Sequence, residues 1–127
     1  METPVQFNAM IIEDEAELCF LLSRVLKQKN IYALCANSIA EARKKIKRIK
    51  PSVVFLDNHL PDGFGLDFIS QLRADFPSTK IIMMTAENSP QDISTAIEKG
   101  ADYFISKPFN TVTIRNTIDS LQIGKTG

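Results

Sequence analysis

Val53-Val54-Phe55-Leu56-Asp57 is the stretch on which the fold turns. It is a short, unbroken apolar run closed by an acid, without the period-2 alternation of a half-exposed strand. Such runs suit strands covered on both faces, as in parallel sheets. Ile81-Ile82-Met83-Met84 repeats the pattern and ends at Thr85. Further out, Met10-Ile11-Ile12 runs into Glu13-Asp14, and Tyr103-Phe104-Ile105-Ser106 ends at Lys107. Longer polar–apolar segments separate the runs, the pattern of repeated strand–helix units. Strands are predicted near 8–13, 31–36, 52–57, 80–85 and 102–106, with the second suited to an edge.

Helix start signals lie between them. Ser38 with Glu41 is a candidate capping box, and Ser89-Pro90 supplies an N-cap and a first-turn proline. Gly100 stands where a C-terminal cap belongs, and Asn110 caps a last helix with Ile114, Ile118 and Leu121 on one face. That helix is rich in weak helix formers and depends on packing. The first helix, about Glu15 to Lys29, carries two apolar stripes: Cys19, Leu22 and Leu26, and beside them Leu18, Leu21 and Val25. Either the whole face is core, or Leu18 and Leu21 stay exposed as a docking patch.

A chain of 127 residues with zero formal net charge, 44% hydrophobic and 24% charged, reads as one globular domain. We divide it into a lead-in at 1–7, a domain at 8–122 and a tail at 123–127. The basic cluster Lys44-Lys45, Lys47-Arg48 and Lys50 reads as a solvated helix face, not a nucleic-acid contact. No apolar stretch is long enough to span a membrane, and no export signal is visible, so the cytoplasm is the expected location. Cys19 and Cys35 lack CxxC spacing and are expected to be buried, reduced thiols.

Ligands of a parallel α/β sheet bind outside the carboxyl ends of its strands. The four runs would gather Glu13, Asp14, Asp57, Thr85 and Lys107 there. Two carboxylates at ~4 Å repel by about 4 kcal/mol at an effective dielectric of ~20. A divalent oxygen-liganded cation answers that repulsion, and Mg²⁺ fits a site with few carboxylates. Asp14 and Asp57 are the expected direct ligands, Glu13 acts through a water, and the His59 backbone carbonyl completes the set. Acids at a helix start also favour the helix dipole, and Asp57 alone could cap a turn, so the combination carries the reading. A carboxylate can attack phosphorus to give an acyl phosphate. Catalysis then rests on positioning and on neutralising the equatorial oxygens, with Lys107 and the Thr85 hydroxyl as the protein's groups. Pro108 invites a cis peptide that would aim Lys107 inward.

These residues resemble the receiver domain of two-component response regulators. The matching motifs are Glu13-Asp14; Asp57 with Leu60-Pro61-Asp62-Gly63-Phe64-Gly65; Thr85-Ala86; and Gly100-Ala101-Asp102-Tyr103-Phe104-Ile105-Ser106-Lys107-Pro108-Phe109. The resemblance implies an α/β fold, a doubly wound five-stranded parallel sheet in the flavodoxin-like order 2-1-3-4-5 with helices on both faces. It also implies that Asp57 accepts a phosphoryl group from a sensor histidine kinase or histidine phosphotransfer protein, with Mg²⁺ required. A switch would couple Thr85 to Phe104 and control a downstream protein or output domain. The chain would not be an enzyme beyond its own phosphorylation and dephosphorylation.

Glu13 departs from the commoner Asp at the first acidic position. His59 is expected in a partly exposed loop; a sharper reading has it tune water access together with Glu87. One rival is a receiver-like interaction module that is not phosphorylated. The other, an aspartate-nucleophile phosphatase, needs a second aspartate where His59 stands. Nothing after Leu121 reads as an output domain, which fits a stand-alone receiver or a piece of a longer regulator or hybrid kinase.

Overall fold

The apolar runs form a parallel sheet of β1 (Ala9–Ile12), β2 (Ala33–Ala36), β3 (Val53–Asp57), β6 (Lys80–Thr85) and β7 (Tyr103–Ser106). Its order is β2-β1-β3-β6-β7, which is 2-1-3-4-5 when the sheet's strands alone are counted. The computed structural model describes residues 7–121; the rest of the expected lead-in, residue 122 and the tail lie outside the described residues. The edge strand β2 starts at Ala33, while Ile31 is buried just before it.

Alternate side chains of each strand enter opposite layers, as the pleat dictates. Met10, Ile12, Val54, Leu56, Ile81 and Met83 pack beneath α2 (Ile39–Ile49), α3 (Gly65–Asp75) and α4 (Pro90–Lys99). Ile11, Val53, Phe55, Ile82, Met84 and Ile105 face α1 (Ala16–Gln28) and α5 (Thr111–Leu121). The central strands β1, β3 and β6 are therefore covered on both faces, which accounts for the continuous apolar runs. α5 is held as expected by Ile114 and Ile118, both buried, and Asn110 Oδ1 accepts Thr113 N at 3.0 Å.

The caps hold with one adjustment. Ser89 and Asp92 form a complete capping box on α4. At α2, Ser38 Oγ accepts Glu41 N at 3.1 Å, but the Glu41 carboxylate reaches past Ser38 to Asn37 N at 3.1 Å. Two further donors at this end, Ile39 N and Ala40 N, are taken by the Asp62 carboxylate at 2.9 Å each. These two bonds hold the Asp62 carboxyl below the usual carboxylate range. Along α2 and at its C-cap, Lys44, Lys47, Arg48 and Lys50 are exposed, while Lys45 is half-buried and donates to Glu41 and to Cys35 O.

The cysteines overturn the expectation of free thiols: Cys19 and Cys35 are joined as a disulfide. The crossover lays α1 over β1 and β2, so Cys19 on its inner face meets Cys35, the register partner of Ile11. Their Cα atoms stand 6.4 Å apart, within disulfide range. The pairing is made by the fold, not by local spacing, so no short motif announces it. Closing a loop of this size is worth about 3 kcal/mol. Urea unfolding with and without reductant is expected to differ by roughly that amount, and coincident curves would contradict the bridge.

Candidate functional site

Each strand of the sheet's centre delivers one functional group at its carboxyl end. Ile12 pairs with Leu56, Asp57 with Met84, and Thr85 with Ser106. The ladder continues one step past the strands, with Glu13 N bonded to Ala36 O and Lys107 N to Thr85 O, both at 2.9 Å. Glu13, Asp57, Thr85 and Lys107 are thereby fixed by backbone hydrogen bonds at a common rim.

Glu13 and Asp57 are 2% and 4% exposed, and Asp14 beside them is open to solvent. One carboxylate oxygen from each lies within 4.8 Å of the others. Lys107 Nζ donates to Glu13 Oε1 at 2.7 Å and to Asp57 Oδ1 at 3.0 Å. The Lys107–Pro108 bond is cis, as expected. Burial works against the Lys107 ammonium, but its bonds to Glu13 and Asp57 outweigh it and raise its pKa. Burial, reinforced by the charge of Asp57, pushes Glu13 up to about 7 despite the Lys107 bond. Three acids facing one ammonium form a donor set for a hard cation such as Mg²⁺.

A raised folded-state value means that Glu13 favours folding when protonated. Its contribution is complete below about 4.5 and is lost as the pH rises through about 7. Without divalent cation, the melting temperature is expected to fall across this window, and Glu13→Gln to flatten the fall. A profile identical in both proteins would contradict the assignment.

Thr85 is buried, and its Oγ1 accepts Glu87 N at 3.2 Å. It shares a cavity of about 220 Å³ with Phe104, Asn58 and Ala96. Phe104 is half-buried against the α2–α4 layer. His59 is exposed, with Nε2 on the Glu87 carboxylate and its ring edge-on to Phe64, centroids 5.6 Å apart. His59 belongs to an unanticipated hairpin of β4 (His59–Leu60) and β5 (Gly63–Phe64), which spans the loop after Asp57.

Asn58, which no sequence motif singles out, and Gly65, the last residue of the motif after Asp57, shape this loop. Asn58 is buried; its backbone carbonyl takes Gly65 N at 2.8 Å and its Oδ1 takes Leu66 N at 3.0 Å, so it caps α3. Gly65 lies so close to the end of β3 that a Cβ there would stand 2.1 Å from Asp57 O. Only glycine admits that approach. The polar Asn after a strand-ending acid was the available signal for the cap.

For Leu18 and Leu21 the sequence leaves a core face and an exposed docking patch open. Leu18 and Leu21 are both half-buried, and Leu18 packs against the α1–α5 core and borders Lys107, Pro108 and Phe109. The apolar side chain that stands out on α1 is Phe20, 65% exposed, with Arg24 over its ring at 5.9 Å.

This fold and rim define a receiver, and comparison with known proteins agrees. The family model for the response regulator receiver domain matches residues 9–119. The chemotaxis protein CheY of Listeria monocytogenes is 31% identical over 111 residues, covering 87% of this chain and 93% of that protein. A two-component response regulator of Clostridium difficile superposes with a TM-score of 0.85 at 28% identity, over 95% of this chain and 100% of the other. The transcriptional regulatory protein CitB of Klebsiella pneumoniae is 31% identical over 88% of this chain but only 49% of its own length. The chain spans about half the length of several curated relatives that it matches. It belongs to the response regulator receiver domain family. No described helix is long and apolar enough to cross a membrane.

Proposed function

We propose that Asp57 is the phosphoacceptor of this receiver, taking a phosphoryl group from a phosphohistidine on a sensor kinase or phosphotransfer protein. The observation that carries the reading is a buried Asp57 carboxylate, bonded to Lys107 and within 4.8 Å of two further acids at the sheet's carboxyl edge. Asp57 Oδ attacks phosphorus as the P–N bond to the donor imidazole breaks. Lys107 follows the charge from the carboxylate to a phosphoryl oxygen. The Thr85 hydroxyl leaves Glu87 N and donates to a second oxygen. Asp14, Asp57 and the His59 carbonyl would hold Mg²⁺, with Glu13 acting through a water, and the ion would supply the charge that lets an anionic donor approach buried carboxylates. Water attack on the aspartyl phosphate resets the domain.

Movement of Thr85 opens part of the cavity that it shares with Phe104, and Phe104 turns into the space. Phosphorylation shifts this equilibrium only by its different affinity for the two states. The changed face of α4, β7 and α5 then acts on a downstream protein or output domain in the cytoplasm. The receiver unit is residues 8–122, and Leu18 and Leu21, together with Phe20, face the incoming donor.

His59 and Glu87 cover the water path. His59→Ala is expected to change the aspartyl-phosphate lifetime several-fold, read by loss of the adduct between pH 6 and 8; an unchanged lifetime discards the role. The function itself is tested with a small acyl phosphate and Mg²⁺, which should add about 80 Da once per chain. No adduct would mark an unphosphorylated interaction module, and sustained turnover of diverse phosphoesters would mark a phosphatase.

A further inference from the structure

The Cys19–Cys35 bridge is linked to the acidic site at both of its ends, through two hydrogen bonds from Cys19 and one beside Cys35. Cys19 N donates to Glu15 O at 3.1 Å, and Glu15 N donates to Glu13 Oε2 at 3.2 Å. Cys35 directly precedes Ala36, whose carbonyl accepts Glu13 N at 2.9 Å. The bridge therefore ties together the two elements that hold the backbone and side chain of Glu13. Lys45 Nζ anchors the same point from α2 by donating to Cys35 O at 2.9 Å. Cys35 is only half-buried, and both cysteines line an open cavity of about 400 Å³ shared with Asp14, Phe20 and Glu41. A small oxidant or dithiol can enter there.

We propose that Cys19 and Cys35 form a reversible redox site that sets the competence of the receiver for phosphorylation, a role that rests on the phosphoacceptor reading of Asp57. Hydrogen peroxide closes the bridge: each thiol gives up one proton and one electron, the S–S bond forms, and the O–O bond is cleaved and reduced to two waters. A dithiol reopens it by exchange and becomes a disulfide itself. Nonbonded sulfurs cannot stand as close as bonded ones, so reduction moves the first turn of α1 away from β2. The carboxylate of Glu13, held from both sides, shifts with it. Misplacing a reacting constellation by about 1 Å can cost a hundredfold in rate. The shift transmitted through Glu13, which does not itself react, is expected to cost about tenfold.

The test compares peroxide-oxidised and dithiothreitol-reduced protein, with the thiol state verified by alkylation and mass. Phosphate uptake from acetyl phosphate with Mg²⁺ is read by intact mass, and amide exchange at Glu13 and Glu15 is read without metal. Oxidised protein should take up phosphate about tenfold faster and exchange these amides more slowly. Cys19→Ser with Cys35→Ser should behave as reduced protein under both treatments. Equal uptake by the two redox states overturns the proposal, as does failure of peroxide to close the bridge. If neither state takes up phosphate, the phosphoacceptor reading fails, and exchange alone decides whether redox state reaches Glu13. Unchanged exchange in that case overturns the redox site too.

Discussion

Asp57→Asn is expected to abolish phosphate uptake, with a loss of at least ~10³-fold in rate from any small donor. An amide cannot supply the anionic oxygen that attacks phosphorus. Nothing else at the rim substitutes for it: Glu13 is bound to Lys107 and Glu15 N, and Asp14 is exposed. The same change removes one of the two buried carboxylates. At 4.8 Å or less, the repulsion from Glu13 is at least about 3.5 kcal/mol at an effective dielectric of ~20. The substitution also gives up the 3.0 Å ion pair with Lys107, which offsets that relief, so the metal-free variant should melt close to wild type at pH 8. Retained uptake would contradict the nucleophile assignment, and a large loss of stability would contradict the balance of charges. Intact mass and a melting curve check them.

Lys107→Ala should lose both stability and activity. Its ammonium is the cation bonded to both Glu13 and Asp57. Removing one partner of a buried ion pair typically costs 3–5 kcal/mol, and the partial exposure of Lys107 puts this case near ~3 kcal/mol. The raised pKa of Lys107 means that its stabilisation is present below its unfolded value of 10.5, across the working range of pH. Loss of its bond also removes a force that lowers the Glu13 pKa, so the variant should be most destabilised at alkaline pH and recover toward pH 5. Uptake should fall by roughly 10²–10³-fold, the cost of losing one preorganised charge stabiliser. A variant as stable as wild type at pH 8 would mean that the ammonium does not compensate the acids.

Much of this was readable from the residues alone, for identifiable reasons. β3 and β6 are buried on both faces, so Val53 to Leu56 and Ile81 to Met84 carry an unambiguous apolar signal. Because the strands are parallel and in register, the residue after each run had to fall on the same rim, which located Asp57, Thr85 and Lys107. What escaped depends on contacts between distant segments. Cys19 meets Cys35 only once α1 crosses over β2. Asp62 caps α2 from 22 residues or more away. The start of α3 has no capping side chain of its own because Asn58 supplies it from the preceding loop. Phe20 escaped for another reason: the apolar stripes drew attention to Leu18 and Leu21, while its own position points outward.

The most direct measurement is borohydride trapping of protein freshly treated with acetyl phosphate and Mg²⁺, followed by peptide sequencing in a mass spectrometer. An acyl phosphate is reduced to the alcohol, so the account predicts homoserine at position 57 and nowhere else. Homoserine at position 14 or 62, or none in protein that carries phosphate, would contradict it.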